Sequence, residues 1–233
     1  MTIFQSSSIL ARLPPDLQVQ IPRDTLCYSI LDHAAYILPE AIFNHSLRVF
    51  LLARWLAEKE GGDLAAEDKL PLIFAACMCH DFGASDQYNG QQRFEVEGAD
   101  AAESLCKNHG MSIDDSHKVW CAIALHTSAG IAERIDPFTR LVRVAVKLDF
   151  TQTTRDAYKA QTYSSEIESL LPRLQIEQVL STAVVLQAEK IPEQVDCTQS
   201  PPDSQKHPKA SWPGILLRAH AENPNFVGVN PAF

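Results

Sequence analysis

From Leu26 to Glu189 the apolar residues recur at three- and four-residue spacing, and few stretches alternate as a half-buried strand would. That period leaves a bundle of helices as the main choice, and the punctuation divides it. Leu26–Leu38 closes at Pro39. Glu40–Glu60 carries Ile42, Leu47, Val49, Phe50, Leu52, Ala53 and Leu56 before Gly61-Gly62 stops it. Asp68–His80 has Pro71 near its first turn, where a missing N–H matters least. Phe94–His109 ends on Gly110, a residue suited to the left-handed position after a helix. Ser112-x-x-Asp115 resembles a capping box and opens a helix to about His126. Asp136-Pro137 is a cap followed by a first-turn proline, ahead of "FTRLVRVAVKLDF". A last helix is expected over Ser165–Glu189. The reading is an all-α domain over residues 25–190. Residues 191–233 then form a proline-rich, mostly irregular extension packing on it.

At 233 residues the chain can bury one good-sized core. Its formal net charge of −9, with no run of Lys and Arg, argues against nucleic acid and against an anionic membrane surface as partners. No apolar run approaches a membrane span, and the first residues lack the basic start and apolar centre of a secretion signal. Six cysteines (Cys27, Cys77, Cys79, Cys106, Cys121, Cys197) follow no framework spacing, so free thiols and a cytoplasmic location are expected. Cys77-x-Cys79 is tighter than a zinc-binding pair, and no second pair follows.

Four polar residues do not suit the core around them. His45 interrupts "IFNHSLRVF", His80-Asp81 ends "CMCHDFG", and Asp149 ends "VAVKLDF". Singly, each has a plainer reading: a core histidine, or a cap. Together they are two imidazoles and two carboxylates from separate helical segments. A buried carboxylate without a partner is costly. Two neutral His and two Asp⁻ would balance one divalent ion, and this donor set suits Zn²⁺, Mn²⁺ or Fe²⁺.

The order His, then His-Asp, then Asp resembles the HD-domain superfamily of metal-dependent phosphohydrolases and related enzymes. "RFEVEGADAAESLC" and "VWCAIALHTSAGIAE" resemble the branch that holds the fungal and yeast cyanamide hydratases. The resemblance spans roughly residues 25–190 and implies an HD-domain helical bundle. It also implies one divalent metal ion, Zn²⁺ ahead of Fe²⁺ and Mn²⁺, held by His45, His80, Asp81 and Asp149. Asp81 would serve catalysis as well as binding. His126 would orient a metal-activated water or give a proton to a developing nitrogen anion. Phe94 is expected to wall the substrate pocket and Glu95 to support a ligand histidine. Two departures, Cys121 and the residues after Asp149, are expected to alter the pocket.

Phosphate substrates want Arg, Lys or helix N-termini aimed at the pocket. Arg48 and Lys147 are expected to be surface or snorkelling residues, and His109 and His117 to be surface residues. The first expectation is therefore a hydratase acting on a small, nearly linear carbon–nitrogen multiple bond, cyanamide- or nitrile-like. The alternative is a phosphohydrolase of nucleotides or other phosphate esters. A second alternative is a di-iron oxygenase drawing on His109 and His126. A binding protein that keeps its metal for stability is a fourth reading. The partner is a small-molecule substrate, and a homo-oligomer is compatible with the sequence.

Overall fold

The computed structural model describes residues 9–190 and 206–233. Cys197 and most of the proline-rich connector lie outside the described residues. The described residues form helices and no strand. In chain order these are α1 (Pro15–Gln18), α2 (Thr25–Ile37), α3 (Glu40–Glu60), α4 (Leu70–Cys79), α5 (Phe94–Asn108) and α6 (Ile113–Leu125). Then come α7 (Ala132–Ile135), α8 (Pro137–Phe150), α9 (Gln152–Tyr158), α10 (Gln161–Leu170), α11 (Ile176–Lys190) and α12 (Trp212–Glu222).

The caps read from the sequence are present. Ser112 accepts from the Asp115 N–H and Asp136 from the Thr139 N–H, each relieving an orphan donor at a helix start. Helix α3 is the central element, packed against α4 on one side and α8 on another, with α10 and α11 also in contact. Its burial is nearly complete from Ala41 to Ala53. An apolar stripe would not suffice there, so the polar residues on α3 are buried with the rest.

The helix expected over Ser165–Glu189 is two helices. Pro172 removes a helical N–H, and Leu174 and Gln175 adopt φ of 51° and 58°, turning the chain between α10 and α11. The break leaves the Leu171 and Pro172 carbonyls free of a helical partner, and Arg48 takes both.

After His80-Asp81 the chain turns at Gly83 and α5 packs directly over it. A Cβ at Gly83 would lie 1.8 Å from the Phe94 carbonyl oxygen. Only glycine allows this approach, and it brings Phe94 and Glu95 close to the histidine–aspartate pair.

Candidate metal centre and its cavity

His80 caps α4 and His126 caps α6, both by the same local device. Each Nδ1 lies 2.7 Å from the carbonyl three residues back, Cys77 for one and Ile123 for the other. Each Nδ1 therefore carries the proton and donates to a last-turn carbonyl. Each Nε2 is left as a bare acceptor pointing away from its helix. His45, in the buried part of α3, has its Nδ1 2.7 Å from Asp149 Oδ2, which fixes it in the same tautomer.

The three Nε2 atoms converge on Asp81. His80 Nε2 is 3.3 Å and His45 Nε2 3.6 Å from Asp81 Oδ2, and His126 Nε2 is 3.7 Å from Oδ1. His45 and His80 present Nε2 to each other at 3.1 Å. Asp81 is fully buried, yet neither carboxylate oxygen has a hydrogen-bond donor among the described residues. Lone pairs of nitrogen and oxygen facing one another, around an orphaned buried carboxylate, are what a cation would satisfy. One ligand atom each from His45, His80 and Asp81 lies within 4.8 Å of the others. The donor set fits a divalent transition ion.

Burial would push the Asp81 carboxyl up, but positive charge on His80 when that ring is protonated, and then on His45 and His126, outweighs it and holds it well below the usual carboxylate range. Burial lowers His45 and takes His126 down to about 3. For His80 burial is outweighed by Asp81, and the net shift is upward.

Asp149 stands one step behind this group. Its Oδ1 accepts from Arg48 Nε at 2.7 Å, and its Oδ2 accepts from Arg48 Nη2 at 2.8 Å as well as from His45. A carboxylate near a helix C-terminus is unfavourably placed against the helix dipole. Three arginines offset this. Arg48 binds the side chain, while Arg155 and Arg173 donate to the Asp149 carbonyl. Asp149 is accordingly held far below the usual range: burial opposes ionisation, and the Arg48 and His45 hydrogen bonds prevail. Asp149, expected as a metal ligand, hydrogen-bonds His45 Nδ1 and so fixes the orientation of that imidazole.

Arg48 corrects the sequence reading. It is fully buried and does not snorkel, because every neighbour on α3 from Ala41 to Ala53 is buried too. The available signal in the sequence is an arginine in mid-helix, one turn after Asn44 and His45 and followed by the apolar run Val49–Ala53. Lys147 is half-buried and lines the cavity in front of the histidines.

That cavity has a volume of about 300 Å³. Its floor is His45, His80, Asp81 and His126, and Thr127, Thr151, Arg143 and Lys147 add polar groups. Val146, Phe150, Leu180, Trp212 and Phe233 supply the apolar wall. Arg143 is already engaged, donating to the His126 carbonyl at 2.8 Å and pairing with Glu133 at 3.3 Å.

Phe94 packs edge-on behind His126, with ring centroids 5.6 Å apart. Glu95 is fully buried and accepts from the Thr127 hydroxyl rather than from a histidine, and its Oε2 has no partner among the described residues. Burial pushes its carboxyl up. His109 is exposed at the end of α5 and donates to the Leu105 carbonyl, away from the floor. His117 is exposed and stacks on Trp120. Cys121 is near His117 and does not line the cavity. Cys27, Cys77, Cys79 and Cys106 are buried free thiols. No helix among the described residues is long and apolar enough to cross a membrane.

Residues 42–151 match the family model described as the HD domain, a span that runs from just before His45 to just after Asp149. The match supports the HD-domain superfamily for this segment, and HD domains are typically metal-dependent hydrolases. A search of the curated proteins finds no match.

Proposed function

We propose that the protein is a metal-dependent hydratase that adds water across a small carbon–nitrogen multiple bond, cyanamide- or nitrile-like. The observation that carries the reading is the cavity, whose floor is imidazole nitrogen and carboxylate and whose wall is mostly apolar. His45, His80 and Asp81 would hold the ion, with Asp149 fixing His45 and Arg48 fixing Asp149. When bound, a divalent ion supplies Lewis acidity and lowers the pKa of a water.

The protein's own groups account for the remaining steps. His126 carries its proton on Nδ1, so its Nε2 accepts a hydrogen bond and orients the attacking water. The water oxygen bonds to carbon as one π bond of the carbon–nitrogen link breaks, and one water proton passes to His126 Nε2 and from there to the nitrogen, so that the elements of one water are added and His126 returns to its starting state.

A second reading, phosphate ester hydrolysis, is favoured by one observation: Lys147 and Arg143 both line the cavity. Arg143 is committed to Glu133 and the His126 carbonyl, which leaves Lys147 as the available cation among the described residues. One lysine is a weak clamp for a dianion, so hydration ranks first.

The test is turnover by the metal-loaded protein on cyanamide, organic nitriles, isonitriles and nucleoside monophosphates. Hydration of a member of the first three classes is expected. Phosphatase activity on the nucleotides, with no hydration of any of the others, would replace this reading with the second.

A further inference from the structure

Seven rings form a closed chain of contacts, and six of them, all but Phe94, line the cavity. From His45 the ring contacts run to Phe150 at 4.5 Å, Phe233 at 5.1 Å, Trp212 at 5.6 Å and Phe94 at 5.8 Å. They return through His126 at 5.6 Å and His80 at 5.0 Å to His45 at 5.0 Å. One arc is the nitrogen-bearing floor. The opposite arc is apolar apart from the indole N–H of Trp212, and two of its members, Trp212 and Phe233, come from outside the segment that matches the HD domain.

These two rings are held firmly. Ser211 caps α12 and places Trp212 in its first turn. The chain ahead of the cap folds so closely that a Cβ at Gly214 would lie 2.1 Å from the Pro208 carbonyl oxygen. Phe233 then packs edge-on to both Trp212 and Phe150. Trp212 and Phe233 are each partly exposed, so neither ring is fully satisfied by the protein.

The geometry points to Trp212 and Phe233 as specificity-determining residues that select a neutral substrate with a compact, flat hydrophobic substituent, an aryl nitrile ahead of cyanamide or acetonitrile. This rests on the hydratase reading. A cavity of about 300 Å³ accepts one small ring with its reactive group at the floor. A ring lying against Phe233 and Trp212 gains edge or offset stacking that a methyl or amino substituent cannot make. A charged substituent would lose hydration against that wall.

Equilibrium binding of benzonitrile and acetonitrile to the metal-loaded protein, followed by calorimetry, tests the assignment. Benzonitrile should bind at least about tenfold more tightly. Phe233→Ala should weaken benzonitrile by about tenfold and acetonitrile by less than about twofold, with Phe233→Leu in between. Trp212→Leu is the second variant, with the same expected pattern, and circular dichroism confirms that each remains folded. Equal affinities in the unsubstituted protein, or equal weakening of both ligands in both variants, would overturn the assignment. The two readings fail separately. Ring-dependent binding of benzonitrile with no benzamide formed keeps the aromatic wall and removes hydration. Hydration of acetonitrile with no preference for benzonitrile does the reverse.

Discussion

Arg48 grips Asp149 with two parallel hydrogen bonds, Nε to Oδ1 at 2.7 Å and Nη2 to Oδ2 at 2.8 Å, across 101 residues of sequence. Both side chains are buried, and His45 donates to the same carboxylate. The pair thus connects α3, α8 and the turn before α11. Replacing Arg48 by Met strands a buried carboxylate, and the expected cost is about 3–5 kcal/mol in urea unfolding. Arg48→Lys should recover only part, because an ammonium cannot reproduce the fork. A loss below about 1 kcal/mol for Arg48→Met would mean the pair is not the brace described.

Acid and neutral pH should act on stability with opposite signs through two carboxyls. Asp149 is depressed in the fold, so its contribution is present above the unfolded value of about 3.9 and is lost as pH falls through the folded value. Arg48→Met should therefore show a shallower acid limb. Glu95 is raised, so stability declines as pH rises from the unfolded value of about 4.3 through the folded one. Glu95→Gln should abolish that decline and be the more stable protein at pH 7. Urea midpoints from pH 3 to pH 8 check both, and a decline that persists in Glu95→Gln would remove Glu95 as its source.

His126 should matter to rate more than to metal retention. His126→Ala is expected to lower turnover by about 10²-fold, the usual cost of one acid–base group, with the ion retained. Metal analysis of the variant decides its role. An ion lost with the imidazole would make His126 a ligand.

How much of this could be read in the sequence depends on distance along the chain. His45, His80, Asp81 and Asp149 stand out in the sequence because each breaks an apolar helical surface, and the structure buries all four. His126 stands at a helix end in the sequence, and its role comes there from the family resemblance. In the structure its Nδ1 bonds the Ile123 carbonyl, and that bond aims Nε2 into the cavity. Arg48 was misread because its partner lies on α8, and helical periodicity carries no information about which helices meet. Pro172 marks the break between α10 and α11, but the apolar period on either side of it runs on as one helix would. Trp212 and Phe233 gave no signal of their place in the cavity, since it depends on how the tail folds back.

The most direct measurement is the metal content of the purified protein beside His80→Ala. The account predicts close to one divalent transition ion per chain in the unsubstituted protein. It predicts little or none in His80→Ala, with the helical circular dichroism of both proteins alike, because packing rather than the ion holds the fold. A protein that retains no divalent ion after metal-supplemented purification, or a His80→Ala variant that retains a full equivalent, would contradict it.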